Sequence, residues 1–198
     1  SLEIIDQEAK RLTALVENVL HLARAERGVA RVAPTETLIA PSIRETVSTF
    51  AQLPRSRNVE FRLELEDRLV ASVDPGALHQ IILNLLDNAV KYGPAGQRVG
   101  VGLAMFEQHA RLWVDDEGPG IPARERERVF EPFYRAGYQT DSKVVGSGIG
   151  LAVVRELTAL LRGRVWADDA PGGGARIVVE FPDAYLRAEE ATGGWAVA

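Results

Sequence analysis

The chain of 198 residues contains no cysteine, only three histidines and no long run of apolar residues. Without cysteine there is no disulfide framework and no thiolate metal site, and the composition fits a reducing cytoplasm. No apolar stretch approaches the roughly 20 residues that are needed to span a bilayer. These absences argue against a disulfide-stapled module and against a membrane-spanning segment among these residues.

Basic residues are also in short supply. The chain has 23 Lys and Arg against 28 Asp and Glu, a formal net charge of −5. Because domains that bind nucleic acid carry an excess of Lys and Arg on one face, we expect no nucleic-acid partner. The length and the balance of apolar and charged residues are those of one globular domain with an appendage. The chain starts without Met and inside a helical pattern, so we expect a fragment of a longer protein.

Residues 1–27 are predicted to form one long helix, and we assign residues 1–30 to this segment. Apolar residues recur there at alternating spacings of three and four, which is typical of a helix that packs along a seam in a bundle. An amphipathic helix that lies on the domain surface is the alternative. The residues of the seam are Leu2, Ile5, Ala9, Leu12, Val16, Val19 and Ala23.

We predict a linker near 28–37, followed by a domain of the α/β (α+β) class at residues 38–182. Strands that arrive mainly as hairpins, with helices between them, favour a two-layer sandwich with a mixed, mostly antiparallel sheet covered by helices on one face. The predicted helices are 41–53, 75–92, 123–129 and 148–162, and the predicted strands are 59–66, 69–74, 98–106, 110–116, 163–168 and 175–181. We expect the first two strands to form a hairpin. The polar tail 183–198 is expected to be loose.

The predicted helix 75–92 carries two asparagines on one face. Asn84, Asn88 and Lys91 follow the i, i+4, i+7 spacing that returns to one direction on a helix. Asn is a poor helix former, and a solvated stripe more often carries Glu, Lys or Arg. The stripe is either an ordinary polar face or a set of amide oxygens for Mg²⁺ beside a cation for phosphate. Spacing alone leaves both interpretations open.

Two glycine clusters flank an aromatic-rich segment. In "DDEGPGIP" at 115–122, Asp116 stands at a strand end and can accept hydrogen bonds from a flat donor, while the glycines let the main chain lie against a ring. "GSGIGLAVV" at 146–154 opens a helix, and exposed N–H groups at such a start bind phosphate oxygens. The second cluster lacks the Gly-Lys-Ser/Thr of a Walker loop and does not follow a strand.

Four motifs in order resemble those of one family. "NLLDNAVKY", "DEGPG", "FEPF" and "GSGIGL" resemble the asparagine box, first glycine box, phenylalanine box and second glycine box of sensor histidine kinases. These kinases belong to the GHKL ATP-binding superfamily with the Bergerat fold. The resemblance covers residues 40–182. In addition, "LTALVENVLHLARAERG" at 12–28 resembles the second helix of the family's dimerisation and histidine-phosphotransfer domain, and "GGGARIVVEFP" resembles its final hairpin.

The resemblance implies a site for Mg-ATP and a role for each matching residue. Asn88 would ligate Mg²⁺, Asn84 would lie near the metal and the phosphates, and Lys91 would contact phosphate. These three are the expected catalytic residues. In hydrolysing members of the superfamily the position of Asn84 is a Glu that activates water, and an amide has no comparable basicity. The pocket is therefore expected to hold ATP for transfer rather than to hydrolyse it quickly.

The resemblance also implies which residues surround the base and the phosphates. Asp116 would accept a hydrogen bond from the adenine amino group. Phe130 and Phe133 would anchor the base of a lid, and Arg135 would reach phosphate. The full set of residues expected to bind ATP, beside the three catalytic ones, is Tyr92, Asp116, Gly118, Gly120, Ile121, Phe133, Arg135, Gly146, Ser147, Gly148, Ile149, Gly150 and Leu151.

The family's phosphoacceptor motif, His-acid-apolar-Arg-Thr-Pro, does not occur in the chain. His21, His79 and His109 are predicted to be solvated or structural. The resemblance therefore implies the ATP-binding part of a protein histidine kinase (EC 2.7.13.3) whose acceptor histidine lies outside this sequence. It further implies a response regulator receiver domain as partner, a homodimer formed through the N-terminal helix bundle, and the cytoplasmic portion of a sensor whose membrane contact lies upstream.

Two alternatives remain open at this point. One is a catalytically silent module that binds nucleotide or assembles partners through its helix. The other is a GHKL ATPase of the topoisomerase or chaperone kind, against which Asn84 in place of Glu weighs.

Overall fold

The computed structural model describes residues 31–135 and 147–188, together with Val16. The predicted helix at 1–27 lies outside the described residues, apart from Val16, which is helical. None of the helices within the described ranges is both long and apolar enough to cross a membrane.

The described residues form three α-helices and eight strands. The helices are α1 (Ile39–Ala51), α2 (Pro75–Tyr92) and α3 (Gly150–Leu160). The strands are β1 (Thr35–Leu38), β2 (Glu60–Leu65), β3 (Leu69–Val73), β4 (Arg98–Phe106), β5 (His109–Asp115), β6 (Arg164–Asp169), β7 (Ala175–Phe181) and β8 (Tyr185–Leu186). The predicted helix at 123–129 is two short 3-10 turns, Ala123–Glu125 and Arg128–Phe130.

The main sheet has five strands in the order β2-β4-β5-β7-β6. β2 and β4 are parallel, and the other neighbours are antiparallel, which confirms the mixed, mostly antiparallel sheet. Side chains alternate between its two faces. On β5, Ala110, Leu112 and Val114 are buried in the core, whereas Arg111 and Trp113 lie on the other, more exposed face. The helices therefore cover one face, as the two-layer sandwich requires.

The central helix α2 begins and packs as its sequence predicts. The Asp74 carboxylate accepts a hydrogen bond from the Ala77 N–H at 2.9 Å, and Pro75 occupies the first helical position, where its missing N–H costs nothing. One apolar face is buried against α1 and α3. Its members are Leu78, Ile81, Ile82, Leu85, Leu86 and Ala89. The opposite, polar face of the helix is left for the site described below.

The predicted hairpin of the strands at 59–66 and 69–74 is wrong. β2 pairs in parallel with β4, and β3 lies in a second sheet of order β1-β3-β8. The burial pattern explains the difference. β2 alternates as an edge strand with one face toward solvent, whereas Leu69, Val70, Ala71 and Val73 of β3 are all buried. A short turn between two strands predicts a hairpin, but the choice of partner is decided by long-range burial.

Two short strands were not predicted from the sequence. β1 lies within the predicted linker 28–37 and extends one residue past it, and α1 follows directly at Ile39, two residues before the predicted start. β8 lies within the segment 183–198, which was expected to be loose. Strands of four and two residues are too short to show a period of two, so only their pairing with β3 identifies them.

Candidate functional site

A cavity lies between α2, the loop after β5, the start of α3 and β7. It is lined by Asn84, Asp87, Asn88, Lys91, Tyr92, Asp116, Pro119, Gly120, Ile121, Val129, Tyr134, Ser147, Gly148, Gly150, Leu151, Ala175 and Ile177. The asparagine stripe and both glycine clusters therefore meet at one place, although they are separated by up to 66 residues in sequence.

The polar face of α2 forms one wall of the cavity. Asn84, Asn88 and Lys91 all line it, as their spacing on the helix predicts. Asn84 is 7% exposed, so its side chain is a buried part of the cavity wall and not part of a solvated stripe. The Lys91 ammonium nitrogen lies 4.9 Å from the centre of the Tyr92 ring, a cation–π contact at the end of the helix. This wall offers amide oxygens and one cation.

Asp87 also lines the cavity, although the sequence analysis did not select it. It precedes Asn88 and lies off the i, i+4, i+7 line, so spacing gave no signal. Its carboxylate lies 3.2 Å from Arg55 Nε in a partly exposed ion pair. Arg55, which does not line the cavity, therefore partly neutralises the negative charge of Asp87.

Asp116 directly follows the last residue of β5, and its carboxylate is held by main-chain donors. Its Oδ1 accepts hydrogen bonds from the Gly118 N–H at 2.8 Å and from the Ala175 N–H at 3.0 Å. Burial raises the pKa of Asp116 above its usual range, the two backbone hydrogen bonds lower it, and the net shift is upward. The carboxylate is thus fixed in orientation inside a largely desolvated wall.

The turn between β6 and β7 packs directly on Asp116. Gly174 has φ of +88°, and a Cβ there would lie 2.0 Å from the Asp116 carbonyl oxygen. No other residue type fits both the backbone conformation and the contact. The final hairpin therefore supports Asp116 from behind, through Gly174 and through the N–H of Ala175.

The second glycine cluster contacts the phenylalanine segment. Gly148 has φ of +70°, and a Cβ there would lie 2.9 Å from the carbonyl carbon of Phe133. The Phe133 N–H donates to the Gly148 carbonyl at 2.9 Å. Residues 133 and 148 are thus held together by main-chain contacts. Gly148 is therefore required by its contact with the Phe133 backbone, and it also lines the cavity.

Four residues of the predicted ATP-binding set lie outside the cavity wall. Gly118 packs under the Tyr92 carbonyl, from which a Cβ would be 2.9 Å away. The Phe133 side chain is 68% exposed, so it holds its segment through its backbone, whereas Phe130 is buried in the core. Ile149 is also buried in the core, and Arg135 lies beside the lining residue Tyr134. Gly146 lies outside the described residues.

The apolar part of the cavity was mostly missed by the sequence analysis. Its residues come from four places in the chain, namely Pro119, Val129, Tyr134, Ala175 and Ile177. β7 carries the last two because it pairs with β5 in the register Val114↔Ile177. That register is set by the whole sheet. A sequence pattern could identify β7 as a strand but could not place it beside Asp116.

The cavity combines two chemically different ends. One end has a fixed carboxylate and an apolar wall, which suit a flat base with an amino group. The other has amides, a lysine and the N-terminal end of α3, and the N–H groups at a helix start favour anions. A molecule with a flat base and several phosphates matches both ends at once.

Comparison with known proteins agrees with this geometry. Residues 73–185 match the family described as histidine kinase-, DNA gyrase B-, and HSP90-like ATPases. Sensor histidine kinase TmoS of Ectopseudomonas mendocina is 33% identical over 181 residues, 91% of this chain and 19% of TmoS. Sensor histidine kinase CpxA of Escherichia coli (strain K12) is 33% identical over 186 residues, 91% of this chain and 39% of CpxA. The chain thus spans well under half the length of these relatives.

Solved structures show the same fold. The mycobacterial sensor histidine kinase MprB is 32% identical with a TM-score of 0.67, covering 79% of this chain and 99% of that one. Full-length ShkA in complex with AMPPNP is 31% identical with a TM-score of 0.75, covering 92% of this chain and 38% of that one.

A helix-covered mixed sheet, with an asparagine face, a carboxylate and a glycine-rich helix start around one cavity, defines the GHKL class of ATP-binding domains. The chain belongs to the family of histidine kinase-, DNA gyrase B- and HSP90-like ATPases. Within it, the relatives described above are sensor histidine kinases, and the domain is of their catalytic, ATP-binding type.

Proposed function

We propose that this chain binds Mg-ATP in the cavity between α2 and α3 and donates the γ-phosphoryl group to a histidine outside the sequence. The observation that carries the proposal is the meeting of Asn84, Asn88 and Lys91 with Asp116 and the start of α3 in one cavity. The AMPPNP complex of ShkA supports it, because AMPPNP is an ATP analogue and ShkA shares this fold.

The orientation of the nucleotide follows from the two ends of the cavity. Asp116 would accept a hydrogen bond from the adenine amino group, with Ile121 and Ile177 against the ring. The triphosphate would then extend toward Lys91 and the start of α3. Four negative charges on the triphosphate require such a cation and such N–H donors.

The donor set fits a magnesium ion that arrives with the nucleotide. Within residues 31–135 and 147–188 there is no group of three or more His, Cys, Asp or Glu that could hold a metal ion. Mg²⁺ in such sites takes one or two protein oxygens and completes its shell with phosphates and water. The amide oxygen of Asn88 would be the protein ligand, with Asn84 one turn away. When bound, the ion neutralises charge on the phosphates.

The residues that would surround the triphosphate favour transfer of the γ-phosphoryl group over hydrolysis of ATP. An imidazole nitrogen would attack the γ-phosphorus in line, so that a P–N bond forms while the bond to the β,γ-bridging oxygen breaks and ADP leaves. Lys91 would offset the charge on the phosphates. No carboxylate occupies position 84, so the Asn84 side chain cannot act as a general base for water.

The wider role follows from the relationship to sensor histidine kinases. The phosphoryl group would pass from the acceptor histidine to an aspartate of a response regulator receiver domain. The whole protein would act as a homodimer, through the N-terminal helix that the sequence predicts for residues 1–27, in the cytoplasmic portion of a membrane-anchored sensor. The role in a sensor histidine kinase is supported by the relatives TmoS and CpxA, which are both described as sensor histidine kinases.

Two measurements test the proposal. Calorimetry should detect ATP binding that is strengthened by Mg²⁺. A separately supplied acceptor domain with its histidine should then become labelled from γ-³²P-ATP, and the same domain with that histidine replaced by Gln is the control.

Each other outcome identifies a different function. Binding without transfer to any acceptor would favour a silent nucleotide-binding module. Steady release of inorganic phosphate by the chain alone would favour an ATPase. Absence of nucleotide binding would overturn the proposal entirely.

A further inference from the structure

Gln97 is a buried polar residue that the proposed chemistry does not use. It stands just before β4, is 1% exposed and does not contribute to the cavity wall. Its main chain is held in the sheet, because the Glu60 N–H donates to the Gln97 carbonyl at 3.0 Å. A buried side-chain amide is expensive unless both of its polar atoms find partners, so its position calls for an explanation.

The amide of Gln97 connects two elements that both line the cavity, α2 and the loop after β5. Its Nε2 donates to the Ala89 carbonyl of α2 at 2.8 Å. Its Oε1 accepts from the Glu117 N–H, in the loop after β5, at 3.2 Å. Ala89 follows Asn88 directly, and Glu117 follows Asp116 directly. One side chain therefore spans the two segments that hold the proposed metal ligand and the proposed base acceptor.

Gly93 leaves the space in which this amide lies. Its backbone is at φ of −81° and ψ of 163°, a conformation that every residue type can adopt. A Cβ at position 93 would nevertheless lie 1.9 Å from Gln97 Oε1. A larger residue at position 93 would therefore displace the Gln97 amide, although the backbone conformation would accept it.

A second contact reinforces the same connection. The carboxylate of Glu117 accepts from the Arg98 backbone N–H at 3.2 Å and from Arg98 Nε at 3.0 Å. Residues 97 and 98 thus hold Glu117 by both its main chain and its side chain. The Arg98 pair is partly exposed, so solvent screens it more than it screens the hydrogen bonds of the buried Gln97 amide.

We propose that Gln97 is a positioning residue that fixes the separation between Asp116 and the α2 residues Asn88 and Lys91. This inference rests on the proposed function, since the separation matters only to a ligand that reaches both ends of the cavity. A nucleotide triphosphate does so, whereas adenosine occupies only the base end. Loss of the connection should therefore weaken ATP far more than adenosine.

The test is Gln97→Met, which keeps the length of the side chain and removes both hydrogen bonds. We expect the Kd for Mg-ATP to rise about tenfold while the Kd for adenosine, measured by NMR titration, changes less than about twofold. Gln108→Met, the same change at an exposed position in the β4–β5 turn, should alter neither. Destabilisation alone lowers the folded fraction and weakens both ligands equally, so the ratio of the two Kd values identifies positioning.

The outcomes separate this inference from the proposed function. Equal weakening of ATP and adenosine, or no weakening, in a chain whose unmodified form binds Mg-ATP would overturn the role of Gln97 alone. Failure of the unmodified chain to bind Mg-ATP would overturn both.

A second measurement needs no variant, in case Gln97→Met does not fold. In the unmodified chain, the Glu117 amide should exchange with solvent at least about 100-fold more slowly than in an unstructured peptide. Mg-ATP should slow it further, and adenosine should not. Rapid exchange, or equal slowing by the two ligands, would contradict the proposal.

Discussion

Asn84 on α2 lies directly beside Gly150, the first residue of α3: a Cβ on Gly150 would be 3.5 Å from Asn84 Oδ1. The two residues are 66 positions apart in the chain. Their contact brings the amides of α2 and the N-terminal end of α3 to one end of the cavity.

Replacement of Asn88 by Ala tests the proposed metal ligand. We expect Mg²⁺ to lose its effect on ATP affinity, because a lost ligand or charge-assisted contact weakens binding. The factor by which Mg²⁺ lowers the Kd for ATP should fall by about tenfold or more. Ala is the best helix former, so circular dichroism should show α2 retained. Asn58→Ala, at an exposed loop position, is the matched control. Survival of the magnesium dependence would remove this role from Asn88.

Replacement of Asp116 by Asn tests recognition of the base. The Asn amide can still accept from the Gly118 and Ala175 N–H groups, but it places an NH₂ where the carboxylate accepted. We expect ATP affinity to fall about 10- to 100-fold, the effect of losing a hydrogen bond to a charged group. Inosine triphosphate, whose base carries a carbonyl, should lose less. Asp183→Asn at the surface should change neither Kd, and equal losses for the two nucleotides would refute the assignment.

A comparison of Gly173 with Gly174 separates the effect of the contact with Asp116 from the effect of the backbone conformation. Gly173 and Gly174 both have φ of +88°, but a Cβ on Gly173 would meet nothing within 4 Å, whereas one on Gly174 would overlap the Asp116 carbonyl. Gly173→Ala should lower the free energy of unfolding by about 1 kcal/mol, the cost of the backbone conformation alone. Gly174→Ala should cost about 2–4 kcal/mol because the overlap is added. Urea unfolding measures both, and equal costs would show that the turn yields without strain.

Glu180 on the outer face of the sheet should give a pH-dependent contribution to stability. It is 1% exposed and accepts hydrogen bonds from Arg164 and from Arg111, whose Nη2 lies 2.7 Å from Oε2. Burial by itself raises the pKa of Glu180, but the two arginines outweigh this and hold the pKa below its usual range. The stabilisation is therefore present above the ordinary glutamate pKa of about 4.3 and is lost as the pH falls through the lower pKa of the folded state.

Glu180→Gln checks this contribution. We expect a loss of about 1–3 kcal/mol in the free energy of unfolding at pH 7, because two arginines lose their charged partner at a site that is partly screened by solvent. The difference from the unmodified chain should shrink below about pH 4. Glu60→Gln, in an exposed ion pair with Arg62, should cost less than about 0.5 kcal/mol. A difference that stays constant down to pH 3 would contradict the assignment.

Local patterns predicted most of the regular elements. The helix predicted at 75–92 has the same bounds as α2, Pro75–Tyr92. The predicted strands at 98–106, 110–116 and 175–181 match β4, β5 and β7 within one residue. β1 and β8 were missed because they are too short for any pattern, and β3 was given the wrong partner because pairing depends on burial far along the chain.

The site was predicted where its residues share one helix or one turn. Asn84, Asn88 and Lys91 lie on one helical face by geometry alone, and Asp116, which directly follows β5, was predicted at the end of that strand. Ile149 and Phe133 show the limit of that approach. Both belong to a recognisable motif, yet one side chain is buried in the core and the other is exposed. Membership of a motif does not determine the direction of a side chain, which packing decides.

The sequence by itself determined most of the regular elements and the chemical character of each short segment, because helical period and strand alternation depend on neighbouring residues. Only the tertiary structure decided that α2, the Asp116 loop, the start of α3 and β7 surround one cavity. It also decided that the buried Gln97 amide joins Ala89 of α2 to Glu117 in the loop after β5. These contacts form between residues distant in sequence, where burial of the whole core and the register of the sheet, not local propensity, set the positions of the atoms.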